Sequence, residues 1–186
     1  VVPLKKDDLV IDIGSNDGIL LKPLQALGVA CLGVDPSGND SKIAQDAGLP
    51  TLTGFFDSAM VLKIQKSYPA PDVIVASSVF THLDDPDTCA KDVKKLMATD
   101  GSFVIEVEYI GNILREVQFE RFYLDRIFYY SITSLSKLFE KHAMYVADVS
   151  DIEPHGGSLR VTVRNLGHGS PSERVVRFLK EEEQTL

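Results

Sequence analysis

Short apolar runs alternate with helix-period segments through the first 108 residues. "LVIDIG" (9–14), "ACLGVD" (30–35), "DVIVAS" (72–77) and "SFVIEVE" (102–108) show little polar alternation. That is the pattern of parallel strands covered on both faces. Between them the spacing predicts helices over about 18–27, 39–47, 57–67 and 86–98, with Asp57 and Asp85 as N-caps and Pro86 at a first helical position. Alternating strands and helices predict a doubly wound α/β sheet. The order changes after Glu108. An aromatic tract, "FYLDRIFYYSITSL" (122–135), leads into a helix over about 133–142. Two strands follow, "MYVADVSDI" (144–152) and "SLRVTVRN" (158–165), joined by a turn containing Gly156-Gly157. Without a helix between them these strands pair antiparallel or leave the sheet. A last helix, about 172–184, closes the pattern, and its acidic run Glu181-Glu182-Glu183 reads as a solvated face.

Composition narrows the classes. The 186 residues suit one domain, and the hydrophobic share of 44% and charged share of 25% are those of a globular protein. A net charge of -8 argues against sequence-independent nucleic-acid binding, which needs Lys and Arg against phosphates. A small anionic substrate stays compatible, because a few local positive groups override a global field. Cys31 and Cys89 match no metal-ligand spacing and read as buried thiols in a reducing, cytoplasmic compartment. No apolar run approaches the roughly 20 residues that span a bilayer. The chain opens on Val1 without Met, and the expectation is a piece of a longer polypeptide.

The first strand-to-helix turn carries the first candidate chemistry. "VIDIGSNDG" places Gly14 and Gly18 at a G-x-x-x-G spacing, not the G-x-G-x-x-G of a dinucleotide fold. A nucleoside with an amino-acid tail needs a roomier turn with an acid nearby. Asp12 stands ready to accept from an ammonium, directly or through water, and Asp35, ending the second strand, stands where a carboxylate binds both ribose hydroxyls. The competing reading is a glycine turn that only packs helix on strand.

The set D-x-G-x-N-x-G, followed by an acid after the second strand, resembles the class I S-adenosylmethionine-dependent methyltransferases. The resemblance implies a Rossmann-like, mostly parallel seven-stranded sheet with an antiparallel C-terminal hairpin. It implies S-adenosylmethionine as cofactor, with Gly14, Ser15, Asn16 and Gly18 lining the methionine end and Asp35 holding the ribose. Gly54, Phe55 and Phe56 then fall where adenine contacts lie, although both phenylalanines read equally well as core. Ser77 and Ser78, after the fourth strand, fall where cofactor and substrate are faced. No metal is implied.

The second half is similar to the sugar C-methyltransferases, which methylate a carbon of nucleotide-linked keto-deoxysugars. His155, Gly156, Gly157, Ser158 and Arg160 match that family's H-G-G-S-x-R, and Tyr123, Tyr129 or Tyr130, and Ser131 match part of its Y-H-E-H-x-x-Y-x-S-L. "SSVFTH" (77–82) matches N-V-x-A-H, with His82 in place and Ser78 for asparagine. Members also carry a cysteine-rich zinc module and a second α/β domain, which this sequence does not contain. Within Y-H-E-H this chain has Tyr123-Leu124-Asp125-Arg126, and arginine stays protonated, so it cannot be a base. The resemblance thus leaves His82, His155, Tyr123 and Asp125 as candidate bases, with the histidines favoured by their ordinary pKa. Arg126 is free to stabilise an enolate or to grip a phosphate or carboxylate. Each of these residues also has a structural reading, as a satisfied histidine or a solvated pair. His142 reads as facing a helix dipole, and His168 as loop. The expected substrate is a small molecule, a nucleotide-sugar in the sharpest form. O- or N-methylation of a small acceptor, or a non-catalytic cofactor-binding module, are the alternatives.

Overall fold

A computed structural model describes residues 2–153 and 157–185. Seven strands form a sheet of order β3-β2-β1-β4-β5-β7-β6. The chain divides into two compact units, residues 1–76 with 91–103, and residues 77–90 with 104–186.

The first unit holds the parallel strands β1 (Leu9–Ile13), β2 (Ala30–Asp35), β3 (Thr51–Thr53) and β4 (Val73–Ser77, of which Ser77 falls in the second unit). All five residues of β1 are buried, and neighbouring strands pair with it on both sides. Ile11 lies beside Leu32 of β2 and Ile74 of β4, and Asp12 beside Gly33 and Val75. Helices α1 (Leu21–Ala26), α2 (Gly38–Asp46), α3 (Ser58–Ser67) and α4 (Pro86–Leu96) connect or follow these strands. Asp57 caps α3 as expected, accepting from the Met60 N–H at 2.8 Å, and Asp85 accepts from the Thr88 N–H at the start of α4. The reading placed α1 from residue 18, but the helix begins at Leu21. Gly18 has φ +84, outside the right-handed helix, and a Cβ there would stand 2.3 Å from Leu49 Cδ1.

The second unit holds β5 (Ser102–Glu108, from Val104 on), β6 (Met144–Ile152) and β7 (Ser158–Asn165). β6 and β7 are the expected antiparallel pair, running from Met144 opposite Asn165 to Ile152 opposite Ser158, with an irregularity between Val146 and Asp148. A short helix that the spacing did not predict, α5 (Ile110–Arg115), follows β5; its N-cap, Tyr109, makes no side-chain capping bond. Helix α6 (Ile132–Glu140) starts at a reciprocal capping box between Ser131 and Ser134, and buries Ile132, Leu135 and Phe139. It stops before Ala143, whose φ of 53 is left-handed. Phe80, fully buried, centres an aromatic core with Tyr130 and Phe139, at ring separations of 5.4 and 6.0 Å.

Helix α7 (Glu173–Thr185) corrects the reading of its acidic run. Glu181 and Glu183 are exposed, but Glu182 is buried on the same stripe as Val175 and Phe178. Its two carboxylate oxygens accept from the backbone N–H groups of Ile132 and Thr133, each at 2.8 Å. The carboxylate thus serves the positive end of α6, where free amides and the helix dipole favour an anion. His142 is also placed differently from the expectation: its Nε2 lies 3.3 Å from the Asp87 carboxylate instead of facing a helix end alone.

Candidate active site

In the first unit, the turn after β1 is shaped by backbone that side chains rarely allow. Gly14 has φ 72 and Asn16 has φ 47, so the chain reverses tightly before α1. The turn lies close against β2: a Cβ on Gly33 would meet Ser15 Oγ at 2.4 Å. Asp35 holds the turn from the end of β2. One carboxylate oxygen accepts from the Asn16 N–H and the other from the Ser37 N–H, both at 2.8 Å. Each oxygen keeps acceptor capacity for a further donor.

Asp12 is buried beneath this turn. Burial, reinforced by the Asp35 charge, raises its pKa to about 7. Ser15 Oγ is buried and has no hydrogen-bond partner among the described residues. Two close acids with no cation beside them among the described residues, and a hydroxyl unpaired there, suit a ligand that carries positive charge and hydroxyl groups. The residues at hand therefore fit S-adenosylmethionine, and Asp12, Ser15, Asn16 and Asp35 are those that would hold it. Gly18 is explained by its contact with Leu49. Gly54, at φ 148, donates its N–H to the Asp35 carbonyl at 2.9 Å. Phe55 is 74% exposed and Phe56 half-buried, so the reading of Phe55 as core is overturned: three-residue β3 ends before it can be covered.

The second unit brings together a separate polar set. Ser77 Oγ donates to the Glu106 carboxylate, and the left-handed Ser78 (φ 56) donates its N–H to the Glu106 carbonyl at 3.2 Å. Asparagine tolerates that conformation better than serine, a physical reason for asparagine in the family's motif at this position. His82 Nδ1 lies 2.5 Å from the Asp125 carbonyl oxygen. A carbonyl can only accept, so Nδ1 carries a proton, and in the neutral ring Nε2 has the lone pair. The Thr81 carbonyl accepts from the N–H groups of Ile127 and Phe128, pinning the aromatic tract to the same segment. Tyr129 pins it again, accepting from the Tyr123 N–H and donating to the Arg121 carbonyl. Tyr130 belongs to the core, with its hydroxyl 3.4 Å from the Phe80 carbonyl and its pKa pushed up by burial. Ser131 is the cap of α6.

Arg126 is the most constrained member of the tract. Its Nη2 lies 2.7 Å from Glu108, with side-chain exposures of only 12% and 5%. The Tyr123 ring covers the guanidinium, 4.8 Å from centroid to Cζ. The reading of Asp125-Arg126 as a solvated pair is therefore overturned for Arg126. Asp125 itself is exposed and contributes its backbone carbonyl. Glu106 engages Arg160 Nε and Nη2 through one oxygen, at 2.7 Å each. His155 and Gly156 lie outside the described residues. Sequence reasoning missed Glu106 and Glu108. Their signal was present in "SFVIEVE", where two acids interrupt a strand otherwise read as buried, and buried charges require partners.

The methyltransferase domain family model matches residues 2–146. The chain belongs to the methyltransferase domain family. The family's methyl donor, S-adenosylmethionine, is the cofactor of this domain, as the turn after β1 led us to expect. The C-methyltransferase NovU of Streptomyces niveus is 32% identical over 160 residues, which cover 86% of this chain and 38% of NovU. The chain thus spans well under half the length of that relative. Among solved structures, the fold is similar to a complex between the Haloferax volcanii Trm112 methyltransferase activator and a methyltransferase, with TM-score 0.69, 20% identity, and coverage of 88% of this chain and 85% of that one. It is similar also to magnesium protoporphyrin IX methyltransferase from Synechocystis PCC 6803 with bound SAH, with TM-score 0.63, 15% identity, and coverage of 86% and 75%. These likenesses agree with the seven-stranded, mostly parallel sheet and its antiparallel end. No described helix is long and apolar enough to cross a membrane.

Proposed function

We propose that this methyltransferase domain transfers a methyl group to a carbon next to a carbonyl, with a nucleotide-linked keto-deoxysugar as the acceptor. The carrying observation is His82. Its Nδ1 proton is committed to the Asp125 carbonyl, which leaves Nε2 as an acceptor on an exposed side chain. Methylating a carbon acid requires a base positioned to take the proton. His155, outside the described residues, is the second candidate. The likeness to a C-methyltransferase over 86% of the chain supports carbon as the methylated atom.

When bound, S-adenosylmethionine supplies an electrophilic methyl group on a sulfonium. The chain's own contribution begins with Asp35, whose carboxylate is oriented by the Asn16 and Ser37 amides to accept ribose hydroxyls. Asp12 meets the cofactor's ammonium, and that cation restores the charge that burial and Asp35 suppress. Gly54, Phe55 and Phe56 follow β3 on the adenine side, where exposed Phe55 has a free face for stacking. His82 Nε2 takes the proton from the acceptor carbon.

Proton exchange tests this reading without requiring methyl transfer. Incubated in heavy water with a nucleoside-diphosphate-linked keto-deoxysugar, the protein should exchange the proton beside the ketone, read by proton NMR. Replacing His82 with Ala should slow exchange by about 100-fold or more, the usual scale for a lost general base. Methyl transfer to oxygen or nitrogen without exchange would replace carbon with a heteroatom as the acceptor.

A further inference from the structure

Arg126 has a donor that the fold leaves unused. Nη2 is committed to Glu108, while Nη1 is buried and has no hydrogen-bond partner among the described residues. The ion pair with Glu108 and the Tyr123 ring hold the guanidinium, and the backbone beneath it is anchored. The Arg126 N–H closes a turn onto the Tyr123 carbonyl at 3.3 Å, and the next two amides bond to Thr81. Tyr123 covers one face of the guanidinium, whose N–H groups lie in the guanidinium plane. A fixed donor of this kind on the tract pinned to His82 has the properties of an oxyanion-type site.

Charge decides what it would accept. Glu108 cancels the Arg126 charge, and Glu106 lies two residues earlier on the same face of β5. A phosphate or carboxylate would find a neutral pair beside a further acid. A neutral carbonyl would find a hydrogen-bond donor, and one that strengthens as negative charge develops on the oxygen.

We infer that Arg126 Nη1 donates to the carbonyl oxygen of the methyl acceptor, and that Glu108 is the positioning residue that aims it. This rests on the carbonyl-acceptor reading above and specifies its electrophilic half. In the step, the acceptor's C–H proton passes to His82 Nε2 and the C–H electron pair forms a carbon–carbon double bond. The carbonyl π pair moves to oxygen, where Nη1–H receives it. The enolate carbon then bonds to methyl as the sulfur–methyl bond breaks, the carbonyl re-forms, S-adenosylhomocysteine leaves, and His82 releases its proton to water.

Steady-state transfer to the keto-sugar nucleotide tests this with three variants: Arg126→Ala, Arg126→Lys and Glu108→Gln. Arg126→Lys keeps a cation against buried Glu108, so it remains informative where Arg126→Ala fails to fold, since stranding one member of a buried pair is destabilising. Loss of this donor should lower kcat by about 100-fold in both Arg126 variants, with KM nearly unchanged. Millimolar guanidinium should restore part of the Arg126→Ala loss, which a purely structural role would not permit. Glu108→Gln retains a hydrogen bond but loosens the aim, and should lower kcat by about 10-fold. Unchanged kcat in folded Arg126→Lys, or a rise in KM alone, overturns this inference while leaving carbon methylation intact. Wild-type transfer to oxygen or nitrogen, or none, overturns the carbonyl reading and this inference with it.

Discussion

On the proposed reading, Asp12 would link protonation to cofactor binding. Its pKa in the folded protein is raised from the ordinary 3.8 to about 7, first by burial and then by Asp35. The folded state therefore holds a proton that the unfolded chain releases near pH 4, and stability from this group is lost as pH rises from about 4 through about 7. A cationic ligand favours the ionised form and reverses the trend. Affinity for S-adenosylmethionine should rise by about 10-fold between pH 6 and pH 8, with proton release on binding. Calorimetry in buffers of different ionisation enthalpy measures both, and Asp12→Asn should flatten the slope relative to the wild type. Ser15 completes this picture, because its buried hydroxyl gains a partner only from a ligand or a rearrangement.

At the scale of elements, the aromatic tract and its helix are stabilised from opposite ends. Toward its N-terminal side, Thr81 and His82 bind the tract through three polar contacts. Toward α6, buried Glu182 of α7 satisfies two amides that Ser131 alone cannot reach. The same carboxylate lies beside the Tyr109 hydroxyl, whose pKa is raised by burial and by Glu182. Replacing Glu182 with Ala leaves those amides without an acceptor, and should cost about 2–3 kcal/mol. Thermal unfolding should then shift down by roughly 5–10 °C. Glu183→Ala, on an exposed position of the same helix, should leave the midpoint nearly unchanged.

At the scale of the molecule, the alternation of apolar runs with helical spacing was enough to anticipate a doubly wound sheet and six of its strands, while the count of seven and the antiparallel last pair came from the family resemblance. Strands such as "LVIDIG" are legible because burial on both faces leaves no room for polar residues. The turn after β1 was legible as a turn because Gly14 and Gly18 lie close together in sequence. Helix α5 was not, being one and a half turns long with no capping side chain. The Arg126–Glu108 pair was not legible either. It joins residues 18 apart in the chain, and only the pinning of the tract brings their charges within 2.7 Å. Glu182 was misread for the same reason, because its partners lie about 50 residues away.

Carbon methylation is the central claim, and isotope-labelled cofactor tests it most directly. The protein would be incubated with S-adenosylmethionine carrying a carbon-13 methyl group and a nucleoside-diphosphate-linked keto-deoxysugar, and the product followed by NMR. The account predicts a labelled methyl coupled to a ring carbon beside the ketone, with the loss of that carbon's proton. A labelled methyl on oxygen or nitrogen, with the neighbouring carbon's proton intact, would contradict it.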